Sequence, residues 1–390
     1  MSAHRIAVLP GDGIGPEVCT AAQQVLESAG LDAEWVGAPV GWTEWCERGE
    51  PLPPATLELI RETRACLFGA ITSKPAAEAS AELVPALRDR GLTYRSPIVR
   101  LRQELGLHTC ARPCRSLPGV PGAFEGVDIV VFRENSEGEY LGVEFNGLPA
   151  CVANHERSVA HRNLPGGTVA TSCRVVSEAA CERICTGAFD FARAHGRRHV
   201  TLLEKANVLR TTGEVMVRSF RRVADRYPEI ETREEHIDAA CMHAVRDPAR
   251  YDVVVAGNLF GDIFSDLAAG LVGGLGFAPS ANTSGPRSEG GTGVFEPTHG
   301  SAPDIAGKNL ANPIGCVLAG AMLAEWLGER PAAERVRTGV EHVLTKGDIR
   351  TPDMGGTAST DDMTEALARA CAAHKTNDAI TAPHDARGNQ

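Results

Sequence analysis

Short apolar, β-prone runs alternate with longer stretches of helical periodicity along most of this sequence, and that alternation restricts the fold to βαβ units. The strand candidates are RIAVLP, ACLFGA, DIVVFR, HVTLLEK and YDVVVAGN, each followed by polar or glycine-rich residues. Helical stretches lie between them, the first reaching Ala29 and others spanning Thr212 to Tyr227 and Pro313 to Leu327. At 390 residues the chain suits two α/β lobes rather than one small core. Chemistry in open α/β sheets gathers beyond the carboxyl ends of strands, which directs attention to the residues after FGA, VVFR, LLEK and VVAGN.

Charge and composition exclude several functions. The formal net charge of −11 disfavours nucleic acid and anionic membranes as partners. The longest nearly apolar stretch, Leu267 to Pro279, is too short and glycine-rich to span a bilayer. The opening MSAHRIAVLP runs into a strand without a signal-peptide core, so a cytoplasmic protein is expected. Twelve cysteines include no C-x-x-C pair, and reduced structural thiols are expected. Phe145 to Thr171 reads as an excursion suited to pairing with another subunit, and residues 376–390 as a disordered tail.

Six segments have the residue types for chemistry. GDGIGPE, Gly11 to Glu17, follows a strand but lacks G-x-G-x-x-G spacing; it fits a tight strand-to-helix turn as well as a nucleotide loop. Seven arginines lie between Arg88 and Arg115 against two acids, Asp89 and Glu104, a surplus that suits an anion or a solvated helix face. Ser96-Pro97 reads as N-cap and first helical residue; Ile98, Val99 and Arg102 then share a face, with Arg95 just before it. RENSEGEY brings Arg133 and Tyr140 to a strand end, and HVTLLEKAN does the same for Lys205, a base or a surface lysine. In GNLFGDIFSD, Asp262 and Asp266 are spaced i, i+4, so both carboxylates suit a hard divalent cation or the helix dipole. FEPTHGSAPDIAGKNLANP, Phe295 to Pro313, suits a loop wrapping a nucleotide; an Asp there accepts from ribose hydroxyls and repels a 2′-phosphate.

From IAVLPGDGIGPEV to TPDMGGTAST, with GNLFGDIFSDLAAGL and FEPTHGSAPDIAGKNLANP the most specific segments, the chain resembles the β-decarboxylating hydroxyacid dehydrogenases acting on isocitrate, homoisocitrate, 3-isopropylmalate or tartrate. The resemblance implies a two-domain α/β fold, not a Rossmann fold, with a dimerisation arm at about 145–171 and active sites shared across a homodimer or higher oligomer. It further implies a cofactor-side domain of residues 1–107 plus 273–375 and a central domain of 108–272. Carried over by motif, Arg102, Arg112 and Arg133 resemble clamps on the malate part of the substrate, with Asn207 beside them. Tyr140 resembles the acid that reprotonates carbon, and Lys205, from the second subunit, the base. Asp262 and Asp266 resemble ligands of Mg²⁺ or Mn²⁺, joined by the partner subunit's Asp238, and the family leaves room for K⁺. Glu296, His299, Gly300, Ser301, Ala302, Asp304, Ile305 and Asn312 correspond to the cofactor loop. The Asp304-Ile305 pair is similar to NAD-preferring members. The segment ANTSGPRSEGGTGV is expected to border that loop.

GLTYRSPIVRLRQELGL resembles homoisocitrate-type members, with Ser96 and Arg95 facing an acidic distal group, a carboxylate or a phosphonate. The alternative is an apolar pocket of Ile98, Val99 and Val208 for 3-isopropylmalate, with tartrate also within the class. Two readings of another kind are a regulatory subunit without turnover and a metal-dependent anion-binding protein. The presence of Tyr140, Lys205, Asp238, Asp262 and Asp266 argues against the first, and the 295–313 loop against the second.

Overall fold

A computed structural model describes residues 3–155 and 169–381. Ten strands form one mixed sheet: β1 (His4–Gly11), β2 (Ala33–Gly37), β3 (Ala65–Ala70), β4 (Thr109–Arg115), β5 (Asp128–Glu134), β8 (His199–Glu204), β9 (Glu231–His236), β10 (Val253–Ala256), β11 (Pro279–Thr283) and β12 (Gly293–Pro297). Their order is β2-β1-β3-β12-β11-β4-β5-β10-β8-β9. β1, β2, β3 and β12 run parallel to one another, as do β5, β10, β8 and β9. The two groups are joined by β11 and β4, antiparallel to each other and to their outer neighbours. The five expected strands all form, and ACLFGA and HVTLLE are buried along their whole length, as strands covered on both faces must be. β9, ETREEH, is charged and lies at the sheet edge, where one side of its ladder is open.

Helices pack on the sheet by their apolar stripes. Gly15–Ser28 opens with Pro16 and buries Val18, Ala22, Val25 and Leu26. The expected helix at Thr212 to Tyr227 spans Arg210–Ala224, burying Met216, Val217, Phe220 and Val223. The one at Pro313 to Leu327 spans Ile314–Trp326 and is apolar almost all round, because other helices and the sheet enclose it. Buried side chains from the two ends of the chain share one large cluster, and those of the middle fill two others.

The excursion after Phe145 leaves the main sheet: β6 (Glu144–Asn146) and β7 (Ala170–Ser172) pair antiparallel as a separate two-stranded ribbon. The expected arm's middle, residues 156–168, lies outside the described residues. The C-terminal helix runs Thr360–Thr381, into the segment expected as tail; 382–390 lie outside the described residues. All twelve cysteines are free thiols, and among the described residues no helix is long and apolar enough to cross a membrane.

Candidate active site

The carboxyl ends of β5, β10, β8 and β9 deliver the chemistry-bearing residues. β5 carries Arg133 as its penultimate residue and leads to a single helical turn, Glu139–Leu141, that carries Tyr140. β10 leads directly into the helix Asn258–Leu271, which places Asp262 and Asp266 one turn apart. Lys205 follows β8, and Asp238 lies in the first turn of the helix that follows β9.

Arg133 is the hub, with only 1% of its surface exposed. Its Nε and Nη2 both donate to Asn258 Oδ1, at 2.9 and 2.7 Å, while Nη1 bonds Asp262. The helix can lie this close because Gly261 faces the arginine: a β-carbon there would stand 2.8 Å from Arg133 Cβ and Cγ. Arg112 joins the same helix, its Nη1 reaching Ser265 Oγ at 2.7 Å, Asp266 Oδ1 at 3.0 Å and Asp262 Oδ1 at 3.3 Å. Its Nε is sealed from solvent without a partner among the described residues. Tyr140 donates its hydroxyl to Asp262 and lies under the Arg133 guanidinium, 4.7 Å from ring centroid to Cζ. Burial raises the Tyr140 pKa, and the Asp262 carboxylate raises it further, so the phenol stays protonated. Burial opposes the charge of Asp262, but Arg133, the Tyr140 hydroxyl and Arg112 outweigh it and hold the carboxyl below its usual range.

Arg102 enters from the helix Pro97–Glu104 and is buried, its Nε donating to Asn282 Oδ1 at 3.1 Å and its Nη2 to Glu296 Oε1 at 3.3 Å. Glu296 therefore faces this polar core rather than the loop after it. Ser96 starts the helix as expected, but its hydroxyl caps nothing. Arg95 leans outward to the neutral amide of Gln103, at 2.7 Å, so its charge has no acidic partner there. Ile98 packs into the core with Leu101 and Leu107.

Lys205 forms a separate pair, its Nζ 2.5 Å from Asp238 Oδ1. No hydrogen bond or ion pair joins it to the arginine cluster among the described residues. Asn207 is exposed, and Val208 is 65% exposed, so neither lines a pocket within one chain.

The loop 298–313 is docked on the GDGIG turn. Ile14 N donates to Ser301 O at 2.9 Å, the Thr72 and Ser301 hydroxyls meet at 2.7 Å, and Gly307 N bonds Glu17 at 2.5 Å. This explains the turn's glycines: Gly13 has φ +59°, and a β-carbon on it would lie 1.9 Å from Ser301 O. Asp12 ties the turn down by accepting from Trp42 N at 2.7 Å and Thr72 N at 2.8 Å. Ala302 holds φ +39°, a conformation non-glycine residues rarely adopt. Asp304 is exposed without a bonding partner among the described residues, and Ile305 packs against the core. Asn312 is committed internally, bonding Asp353 at 2.9 Å and accepting from Ile314 N at 3.0 Å. The segment ANTSGPRSEGGTGV does not border this loop. It closes the β11–β12 hairpin at the Thr283–Gly293 end, opposite Pro297, and is held by Arg64, His108 and Trp326.

Both groups implied for this site fit the residues present. The Asp262 and Asp266 carboxylates converge on a single positive atom, Arg112 Nη1, so they can share a cation. The described residues contain no group of three or more His, Cys, Asp or Glu side chains placed to hold a metal ion. In the loop, His299 Nε2 is buried without a partner among the described residues, and burial lowers the ring's pKa, leaving a neutral imidazole available for a ligand's polar group.

One chain thus brings together Arg102, Arg112, Arg133, Tyr140, Asp262, Asp266 and Glu296, and leaves Lys205, Asn207, Val208 and Asp238 apart. The sequence reading missed Asn258 and Asn282. Asn258 was visible at the strand-to-helix junction as the first residue of its helix, but nothing in the chain's order marks Asn282.

A family model described as isocitrate/isopropylmalate dehydrogenase matches residues 5–367. The chain is 42% identical over 368 residues to the isocitrate/homoisocitrate dehydrogenase of Thermus thermophilus, covering 94% of this chain and 98% of the relative. It is also 42% identical over 356 residues to the 3-isopropylmalate dehydrogenase of Archaeoglobus fulgidus, covering 91% and 96%. The crystal structure of isocitrate dehydrogenase from Methylococcus capsulatus superposes with a TM-score of 0.82 at 39% identity, over 95% of this chain and 99% of that one.

Proposed function

The chain belongs to the isocitrate/isopropylmalate dehydrogenase family, and from that premise we propose that it performs the NAD- and divalent-metal-dependent oxidative decarboxylation of a 3-substituted malate with an acidic distal group. The observation that carries the reading is the cluster of three buried guanidinium groups with one protonated phenol and three carboxylates, Asp262, Asp266 and Glu296, in which Arg112 Nε still lacks an acceptor. Such a cluster suits the two carboxylates of the malate unit. The uncompensated charge of Arg95 and the free Ser96 hydroxyl favour homoisocitrate, isocitrate or a phosphonate analogue. The 3-isopropylmalate alternative is less favoured because Ile98, half-buried, packs against the core with Leu101 and Leu107.

In the proposed reaction Lys205 would accept the hydroxyl proton, and Tyr140 would deliver its proton to C3 after CO₂ leaves; NAD, when bound, would supply the hydride acceptor for C2. Asp262 and Asp266, with the partner subunit's Asp238, would hold Mg²⁺ or Mn²⁺, which supplies charge stabilisation at the developing enolate oxygen. The 298–313 loop would hold NAD, with Asp304 on the ribose hydroxyls, and the domain division at residues 107/108 and 272/273 would set a cleft between them. A homodimer is favoured by Met242, Val245 and Ile263, large apolar side chains half exposed on the helices Ile237–Arg246 and Asn258–Leu271. Placing Lys205, Asn207 and Val208 across that interface would bring them to the cluster. The acidic net charge disfavours nucleic acid and anionic membranes as partners.

The test is the appearance of reduced cofactor with Mn²⁺ or Mg²⁺, using NAD and NADP in parallel. The substrates are homoisocitrate, isocitrate, 3-isopropylmalate, tartrate and a phosphonomethyl malate. Turnover of acidic-tailed substrates, lost with a chelator and restored by the metal, is expected. Turnover of 3-isopropylmalate alone would overturn the distal-group reading, and silence with cofactor bound would favour a regulatory subunit.

A further inference from the structure

We propose that Arg174 is a positioning residue that holds the Tyr140 and Lys205 elements in register, an inference that rests on the catalytic reading above. Arg174 precedes the helix Glu178–Ala194 and belongs to none of the motifs that resemble the family. Its Nη2 grips the Glu204 carboxylate at 2.9 and 3.2 Å. Glu204 in turn accepts the Lys205 backbone N–H at 2.8 Å, so the guanidinium is one carboxylate removed from the lysine's own backbone. On another side, Arg174 Nε lies 3.7 Å from Glu139, the residue before Tyr140, and the Gly138 N–H donates to Val175 O at 2.8 Å. Its flat face covers the Phe260 ring at 4.8 Å, on the helix that carries Asp262 and Asp266. One planar fork thus contacts all three elements, which arrive from separate strands.

A surface arginine could wander among such contacts, but this one is fixed. Glu204 is 3% exposed, and Arg174 is its only cationic partner among the described residues, so withdrawing the guanidinium would strand a buried carboxylate. Arg174 and Glu204 also line a cavity of about 20 Å³ with Glu137, Asn258 and Gly257, room for one water that would meet the buried, unpartnered Arg174 Nη1. If sites are shared between subunits as proposed, the same guanidinium stands between the Tyr140 end of one site and the Lys205 end of the other.

A purely structural role predicts that removing the stranded charge repairs everything; a positioning role predicts that it repairs only stability. Arg174→Gln is expected to lower kcat about 10- to 100-fold, since displacement of reacting groups by an ångström has that effect. KM for hydroxy acid and NAD should stay within about threefold, because Arg174 touches neither proposed binding group. Arg174→Lys keeps the charge but loses the fork and should fall between. Arg174→Gln combined with Glu204→Gln should regain the wild-type melting temperature and keep the low kcat. Return of kcat with the melting temperature, or an unchanged kcat in Arg174→Gln, would overturn the proposal. Hydrogen exchange of the same double variant decides the matter without turnover: segments 138–142 and 204–208 should both exchange faster. Faster exchange in one segment or neither would sink the positioning claim. A wild-type protein inactive on every substrate but showing the paired exchange effect would retire the catalytic reading alone.

Discussion

Gly13→Ala tests whether the GDGIG turn exists to seat the loop 298–313. The wild-type residue sits at φ +59°, and an added β-carbon would lie 1.9 Å from Ser301 O, 2.7 Å from Ser301 C and 2.9 Å from Ser301 Cβ. Real β-carbons stay beyond 3.0 Å, so the loop backbone must retreat by 3.0 − 1.9, or 1.1 Å. The left-handed conformation costs an alanine roughly 1–2 kcal/mol. Losing the 2.9 Å bond from Ile14 N to Ser301 O adds about 0.5–1.5 kcal/mol. Urea unfolding should therefore show a loss of about 2–3 kcal/mol with the slope unchanged. NAD titration by calorimetry should show an affinity about tenfold weaker, since 1.4 kcal/mol of loop displacement suffices for that. The control is Gly300→Ala, whose β-carbon meets nothing within 4 Å and whose stability should stay level or rise by up to about 1 kcal/mol. Wild-type stability and NAD affinity in Gly13→Ala would refute the argument.

Lys205→Met and Tyr140→Phe should each lower turnover by about 10²–10⁴-fold with circular dichroism and melting temperature preserved, as expected for losing a proton-transfer group; wild-type turnover in either would end that group's assignment. Asp304→Lys with Ile305→Tyr should move the kcat/KM preference toward NADP, because the exposed carboxylate that repels a 2′-phosphate is gone; retained NAD preference would show that the loop is misassigned. Glu325→Gln should narrow the pH range of stability. His195 and then Arg337 hold the Glu325 carboxyl at about 2 against its burial, so its contribution is present above the ordinary 4.5 and fades as pH falls from there toward 2. The His195 pKa is raised by Glu325, so that part is present below 6.5 and fades as pH rises through the raised value. The wild-type lead over Glu325→Gln should peak between those limits at roughly 1–3 kcal/mol, reduced because the carboxyl is a third exposed. A lead independent of pH from 2 to 8 would contradict it.

The strands legible in the sequence were those buried on both faces, where the sheet demands an unbroken apolar run. ACLFGA and DIVVFR announce themselves for that reason. TCARPCR and ETREEH do not: the first alternates buried with partly exposed residues and includes a proline, and the second is a polar edge. The antiparallel link of β11 and β4 between two parallel halves was equally hidden, because pairing over such separations leaves no local pattern.

The candidate site divides along the same line. Arg102, Arg133, Asp262 and Asp266 were legible because an ionised residue inside an apolar or helical pattern has few uses other than pairing, and each does pair within one cluster. Arg95 differs from these: among the described contacts its guanidinium meets only the neutral Gln103 side chain, so no such pairing marks it, and its proposed role rests on its place before the helix and its uncompensated charge. Arg174 shows the converse. Its neighbours in sequence, Cys173 and Val175, carry no signal, and its importance comes from Glu139, Glu204 and Phe260, residues brought to it by three different strands. A residue that touches the reacting groups is constrained by chemistry and can be recognised by type. One that holds their supports apart or together is constrained only by geometry, so it becomes visible only once the sheet has been assembled around it.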